Sequence, residues 1–213
     1  MAIVERGFMY RLFYAEGSAA CGPRVVLEEI GAPYTLVHTE IGSGKPRDAE
    51  LLTHNPNGWV PVLVDGAIAM HEASAISIYL ADRHPAAGLA PAFDDPVRGP
   101  FLQWMVYLSN TLQIAYQLTY HWARYCAGEA ARESVQQRSC ERLREVWGFI
   151  DQAIGERPWF VGDRFSAADI HLHMLSTWLS PEMGHPRIED FPNAARLAAS
   201  VAQRPSVRLV HGL

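Results

Sequence analysis

The spacing of hydrophobic positions changes character near the middle of this chain. From Phe8 to Ala15 the run FMYRLFYA is short, aromatic and almost continuously apolar, as expected of a strand buried on both faces. Glu16-Gly-Ser18 reads as a turn. From Ala19 the pattern becomes helical, with Val25, Val26, Leu27 and Ile30 on one face and Gly31 where a C-terminal cap belongs. Tyr34–His38 predicts a second strand, Ile41–Arg47 a basic, glycine-containing loop, and Arg47–Thr53 a short helix. Val62–Asp65 and Ile68–Met70 flank Gly66 as the arms of a hairpin. Ala73–His84 follows as a helix whose apolar stripe is Ile76, Tyr79 and Leu80. The order β-α-β, helical crossover, β-β-α describes a small α/β domain of roughly 80 residues.

Pro85, Pro91, Pro96 and Pro100 punctuate a linker, and beyond Pro100 no strand pattern of any strength remains. Phe101, Trp104, Met105, Leu108, Leu112 and Ala115 keep the helical period for about five turns. A second long helix is predicted over Ala130–Ile154, with Val135, Leu143, Val146, Trp147 and Ile150 inward. After the loop Pro158–Asp163, Ser166-Ala-Ala-Asp169 opens a further helix as a capping box, Asp standing where Glu or Gln is more usual. Two shorter helices, near Ala194–Gln203 and after Pro205, end the chain. The predicted division is an α/β domain over residues 1–84 with an extension at 1–7, a linker over 85–95, and an all-helical domain over 96–213.

Composition narrows the partners. With 213 residues, 49% hydrophobic and 19% charged, the chain is an ordinary globular sequence long enough for a sizeable core. A net charge of −5, from 18 basic and 23 acidic residues, argues against nucleic acid or an anionic membrane as its main partner. No apolar run reaches about 18 residues, so no membrane span is expected. Met1–Phe8 lacks the apolar core of a signal peptide, which points to the cytoplasm. Cys21, Cys126 and Cys140 are odd in number and form no C-x-x-C, the usage of a reducing compartment without a disulfide framework. The histidines show no metal-ligand spacing; His171 and His173, two apart on a helix, are expected on different sides of it. No metal is expected.

Three blocks carry more specific information. Asn55-Pro-Asn-Gly-Trp-Val-Pro-Val-Leu63 reads as a turn entering a strand, where Pro61 lacks a donor and belongs at a strand start or edge. It is followed by Glu72-Ala-Ser-Ala-Ile-Ser-Ile-Tyr-Leu80, a helix opened by an acidic residue. Trp159-Phe-Val-Gly-Asp-Arg-Phe-Ser-Ala-Ala-Asp-Ile170 opens the capped helix of the second half. Together these blocks resemble the glutathione transferase superfamily, from about Phe8 to Arg208. The runs F-Y-A-E-G-S and V-L-E-E-I-G-A-P-Y are most similar to bacterial beta-type members. The resemblance implies an α/β thioredoxin-like N-terminal domain, an all-α C-terminal domain, glutathione as co-substrate, a homodimer and a detoxifying role. It also implies a cis Val60–Pro61 bond that turns the Val60 backbone toward the cysteinyl part of glutathione. Glu72 and the helix start at Ala73 would receive the γ-glutamyl end.

The reaction so implied is activation of glutathione's thiol for attack on a small, largely apolar electrophile. A free thiol has a pKa of about 8.5, and lowering it by two units needs roughly 2.7 kcal/mol. One charge-assisted hydrogen bond supplies about 1.5–3 kcal/mol and a helix N-terminus up to about 1 kcal/mol, so one hydroxyl at the first helix suffices. Family members use a Tyr, a Ser or a Cys there. In this chain the corresponding positions hold Phe13, Ala20 and Ala19. Of the nearby candidates Ser18, Tyr14 and Cys21, Ser18 is the best placed, either as thiolate donor or simply as a helix cap. Cys21 suggests a second chemistry, thiol–disulfide exchange with glutathione, set against an inert buried thiol. Ala73 replaces the Ser usual after the acidic residue, leaving helix amides to hold the carboxylate. Lys45 would reach the glycyl carboxylate or stay solvated, and Trp59 would wall the site or lie on the surface. Tyr14, Ala20, Asn110, Ile114 and Gln117 would line the electrophile pocket. The last three share a helix face with Tyr107, Thr111 and His121 that suits a dimer contact equally well. The rival to the enzyme is a non-catalytic binding or regulatory protein of the same fold.

Overall fold

The computed structural model describes residues 9–42 and 45–213. Met1–Gly7, read as an extension, Phe8 at the head of the first predicted strand, and Ser43 and Gly44 of the basic loop lie outside the described residues. The chain falls into two compact units, one ending at Leu89 but joined by Pro205–Leu213, the other spanning Ala90–Arg204.

In the first unit, β1 (Tyr10–Tyr14), β2 (Tyr34–His38), β3 (Val62–Asp65) and β4 (Ile68–His71) form one sheet in the order β2-β1-β3-β4. β1 pairs parallel with β2, Leu12 facing Leu36, and antiparallel with β3, Leu12 facing Leu63. Being paired on both edges and covered on both faces, β1 is apolar throughout except Arg11, whereas the edge strands β2 and β4 are mostly exposed. Helix α1 (Cys21–Ile30) stops where Gly31, at φ 64°, donates its N–H back to Glu28 and Leu27, a left-handed cap that only glycine adopts without cost. Its start lies two residues beyond the predicted Ala19, because Ser18 and Cys21 first close a turn. Helix α2 (Ala49–His54) is capped by the Asp48 carboxylate, which accepts from the Leu51 N–H at 3.0 Å. Phe13, Leu51 and Val62 form a small core with Val37, Val60 and Val64 packed on it. Helix α3 (Ala73–Arg83) buries Ile76 and Leu80 fully. Tyr79 is only partly buried, and its hydroxyl donates to Asp65 at 2.7 Å.

The second unit is helical. α4 (Arg98–Tyr107) and α5 (Gln113–Tyr120) are two parts of the predicted five-turn helix, joined by a π-helical turn at Leu108–Leu112. α6 (Arg132–Ile154) buries Leu143, Val146, Trp147 and Ile150, while Val135, predicted inward, is half-exposed near the helix start. The predicted capping box forms at α7 (Ala167–Ser176) and is more than a cap. Asp169 accepts from the Ser166 N–H at 2.8 Å and its hydroxyl at 3.0 Å, and also from the Phe160 N–H at 2.7 Å. It thereby ties the preceding loop to the helix, and the ring of Phe160 packs 4.6 Å from that of Trp104. Ala167–Leu175 are all buried, so His171 and His173, expected on different sides of the helix, are both enclosed. α8 (Pro192–Ala202) exchanges caps with α6. Asp151 takes the Asn193 and Ala194 N–H groups at 2.7 and 2.9 Å, and Arg196 donates to the Gly155 and Arg157 carbonyls at 2.8 Å. The last helix, α9 (Pro205–His211), read from sequence as part of the helical domain, packs on α1 in the first unit. Val207 is buried there, and the Ser206 hydroxyl donates to Glu29.

Burial drives two titrations in α7 in opposite senses. Asp169 is pushed up to about 6, desolvation outweighing its three donors, and His171 is pushed down to about 4. Folding favours the neutral form of each. Asp169 therefore stabilises the fold below pH 4 and loses this as pH rises through about 6; His171 stabilises it above pH 6.5 and loses this as pH falls toward about 4. Asp169→Asn removes only the first trend. Relative to the parent it should be about 2 kcal/mol worse at pH 4 than at pH 7, read from urea unfolding at the two pH values.

Candidate functional site

Three segments of the first unit converge on the predicted site. At the head of α1, Ser18 Oγ donates to the Ala15 carbonyl at 2.6 Å and accepts the Ala20 N–H at 3.2 Å, while the Ser18 carbonyl accepts the Cys21 N–H at 3.1 Å. A hydroxyl has one proton, and here it is committed to Ala15. Ser18 closes the turn ahead of the helix rather than capping it, since Ala20 is the N-cap and no side chain caps α1. Ala19 is buried and Ala20 has no exposed surface, so the methyl of Ala20, expected to line a pocket, packs inside the unit. Tyr14 is 8% exposed, under the Arg24 guanidinium at 5.2 Å and edge-on to His38. Burial, then the nearby Glu16 carboxylate, pushes its phenol up and keeps it protonated. Cys21 is 5% exposed, and burial raises its thiol too. That weakens the thiol–disulfide reading, which needs an accessible thiolate.

The second segment is the turn before β3. Asn55 organises it, donating from Nδ2 to the Trp59 carbonyl at 2.9 Å and accepting the Asn57 N–H at 3.2 Å. Gly58, at φ 69°, lies so close to Arg47 that a Cβ would sit 2.9 Å from its Cγ. The Arg47 guanidinium lies over the Trp59 ring at 4.7 Å and donates to the Gly42 carbonyl at 3.2 Å. Trp59 thus holds a cation in place, an arrangement sequence reading missed; an Arg twelve residues ahead of a Trp gives no local signal of it. Val60–Pro61 is cis, as the resemblance implied. Lys45 is exposed and paired with Glu40 at 2.8 Å, which together with the Gly42 N–H holds the Glu40 carboxylate below its usual range.

The third segment is the start of α3. Among the described residues Glu72 is the one non-glycine residue with positive φ, at 75°, a conformation costing of order 1–3 kcal/mol that clusters at binding sites. No side chain caps α3, although the Glu72 carbonyl accepts the Ile76 N–H at 2.9 Å. The Glu72 side chain is 76% exposed, 3.7 Å from the His71 ring. Ala73 is buried beneath it and Ser74 is buried one place later. An exposed carboxylate beside the amide end of a helix offers a place for an ammonium and a place for a carboxylate.

In the second unit, Asn110 is exposed and opens on a groove of about 450 Å³ with Leu102, Gln103, Val106, Tyr107 and Thr111. Ile114 and Gln117, predicted on the same face, are not among the residues that line that groove. Gln117 instead accepts the Tyr125 hydroxyl at 2.9 Å. Among the described residues no cluster of His, Cys, Asp or Glu is placed to hold a metal ion, and no helix is long and apolar enough to cross a membrane.

Comparison with known proteins decides the family. Residues 9–82 match the description "Glutathione S-transferase, N-terminal domain" and residues 114–205 "Glutathione S-transferase, C-terminal domain". Glutathione S-transferase F14 of Arabidopsis thaliana is 34% identical over 189 residues, 84% of this chain and 74% of that protein. The chain belongs to the glutathione S-transferase family. Glutathione S-transferase GstB of Escherichia coli is 28% identical, covering 87% of this chain and 89% of its own. The solved sphingomonad glutathione S-transferase complexed with glutathione has a TM-score of 0.83 and 27% identity, covering 95% and 97% of the two chains. A bacterial beta-class enzyme from Sphingomonas chungbukensis aligns with a TM-score of 0.82 and 26% identity, over 95% and 97%.

Within this transferase fold the cysteines differ in access: Cys21 is buried, whereas Cys126 and Cys140 are partly exposed. Iodoacetamide at pH 7.5 should therefore alkylate Cys126 and Cys140 well before Cys21, as followed by peptide mass spectrometry; early modification of Cys21 would restore the exchange chemistry to consideration.

Proposed function

We propose that the chain binds glutathione in its first unit and adds the thiolate to a small, largely apolar electrophile, acting as a homodimeric glutathione transferase. The observation that carries this reading is the start of α3. An exposed Glu72 carboxylate stands beside helix amides that no side chain caps, which complements both charges of a γ-glutamyl end. Val60 and Ala73 would supply backbone groups to the tripeptide and Trp59 a wall. For the glycyl carboxylate, Arg47 is a stronger candidate than Lys45, because Arg47 is steadied on Trp59 whereas Lys45 is occupied by Glu40. Ser18 remains the proposed thiol activator, and to act it must swing its proton from the Ala15 carbonyl to the sulfur. Tyr14, Asn110, Ile114 and Gln117 remain candidates for contact with the electrophile. Exposed Leu102, Val106 and Phe149 on the second unit are consistent with a surface that a second subunit covers.

A specific observation supports a second reading, a glutathione-binding protein without catalysis. The one hydroxyl at the head of α1 is already bonded, and the neighbouring positions are Ala19 and Ala20.

Calorimetric titration of the reduced protein with glutathione should give saturable binding in the micromolar to millimolar range, abolished in Glu72→Ala; absence of heat at two temperatures would empty the site of meaning. Catalysis is tested apart from binding. Ser18→Ala should lower kcat roughly ten- to a hundred-fold, the worth of one charge-assisted hydrogen bond, with little change in glutathione affinity. An unchanged kcat would take Ser18 out of the mechanism and favour the backbone amides.

A further inference from the structure

Between α7 and α8 the chain runs through Trp178–His185, and one imidazole fastens this segment to the helices behind it. His185 is 4% exposed. Its Nδ1 lies 3.2 Å from the Ser180 N–H, which can only donate, so Nδ1 is the bare acceptor and the ring proton is on Nε2. Nε2 lies 3.0 Å from Thr119 Oγ1. The Thr119 hydroxyl donates to Ser139 Oγ at 2.7 Å, and that hydroxyl donates to the Ala115 carbonyl at 2.7 Å. Every proton in this chain of bonds therefore has one assigned direction, fixed at one end by Ser180 and at the other by a helix carbonyl. The relay joins the segment to α5 through Thr119 and to α6 through Ser139, both buried.

The other groups around His185 set what a second proton would do. From α5, the Tyr116 and Tyr120 rings stand edge-on at 5.8 and 5.7 Å, and the Tyr120 hydroxyl donates to the Trp178 carbonyl at 2.7 Å. From α6, Cys140 Sγ lies 3.6 Å from the Met183 carbonyl, and the Arg144 guanidinium donates to the Gly184 carbonyl at 3.4 Å. Within the segment, the Trp178 backbone and then the Glu182 carboxylate, which accepts the Ser180 hydroxyl, favour positive charge on the ring. Burial acts against that charge and dominates, holding the imidazole below its ordinary range. A proton arriving at Nδ1 turns an acceptor into a second donor pointed at the Ser180 N–H. The two donors cannot share that contact. The new N–H must turn toward the Trp178 carbonyl or Glu182, and Ser180 is left unpaired.

We propose that His185 is a proton-operated latch on the segment Trp178–Gly184. In its neutral Nε2–H form it closes the segment on itself through the Ser180 N–H while Nε2 ties it to α5; protonation at Nδ1 frees the Ser180 N–H and loosens the segment locally while the Nε2–Thr119 link and the helices stay in place.

Amide hydrogen exchange, corrected for intrinsic rates and followed by mass spectrometry between pH 7.5 and pH 5, reads the latch directly. In the wild-type chain, protection across Leu179–Gly184 should fall by about tenfold for each pH unit below a midpoint under 6.5, over and above any change in α7. In His185→Gln the amide oxygen can accept from Ser180 and the amide nitrogen donate to Thr119, so protection should stay level. Level protection in the wild type, an equal fall in His185→Gln, or a fall that runs in step with α7 would each overturn the proposal. Should the variant not fold, ring nitrogen NMR of the wild type decides. The latch requires a bare Nδ1 at pH 7.5 and two protonated nitrogens where protection is lost, and the opposite neutral tautomer overturns it.

Discussion

β1 is bonded along both edges, to β2 on one side and β3 on the other, and its neighbouring residues Leu12 and Phe13, which point to opposite faces, are both fully buried. A strand so placed has no exposed backbone and little room for polar side chains. From that constraint follow the aromatic and aliphatic run Tyr10–Tyr14, the parallel return of β2 after α1, and the position of the turn at Ala15–Ser18 where β1 ends. The candidate site gathers at this end of the sheet because the chain there leaves ladder bonding and must satisfy its backbone groups by other means. Ser18 does so at α1, Asn55 in the turn before β3, and the strained backbone of Glu72 at α3. The elements that hold the unit together and the elements offered to a ligand are thus adjacent, and partly the same atoms.

The second unit meets a different difficulty. Its helices enclose polar groups that water cannot reach, and several are answered by assigned donors and acceptors. Asp169 takes three donors from the loop and cap of α7, Asp151 and Arg196 cap α8 and α6 for one another, and Trp147 donates to the Tyr116 hydroxyl, which itself donates to the Leu175 carbonyl. Such networks fix which residues meet, because a half-made set costs more than an apolar contact would. Their protonation states are part of the packing, which is why Asp169, His171 and His185 are all displaced toward neutrality by burial.

The chemistry expected of the site is limited by what α1 can give a sulfur anion. Tyr14 is buried and held protonated, Cys21 is buried with its thiol raised, and Ala19 and Ala20 bring nothing polar. What remains is a serine hydroxyl with a competing acceptor at 2.6 Å and the amides of the helix start. The balance between enzyme and binding protein rests on that one proton, since moving it costs one short hydrogen bond and gains a charge-assisted one.

Much of this was determined by sequence alone. The continuous apolar run of β1, the hairpin about Gly66, the Gly31 cap and the Ser166–Asp169 box are local patterns, set by interactions within a few residues, and each formed where the pattern predicted it. The blocks around Pro61 and Trp159 placed the family by the same means. Other features were decided only by contacts between residues far apart in the chain. Arg47 stacks on Trp59, α9 returns to α1, a π turn interrupts the long helix at Leu108–Leu112, and α7 is enclosed so fully that both its histidines are buried. The Ser18 proton belongs here as well: the sequence supplied the hydroxyl, but whether it faces a ligand or the Ala15 carbonyl is a matter of where the folded turn places its nearest acceptor.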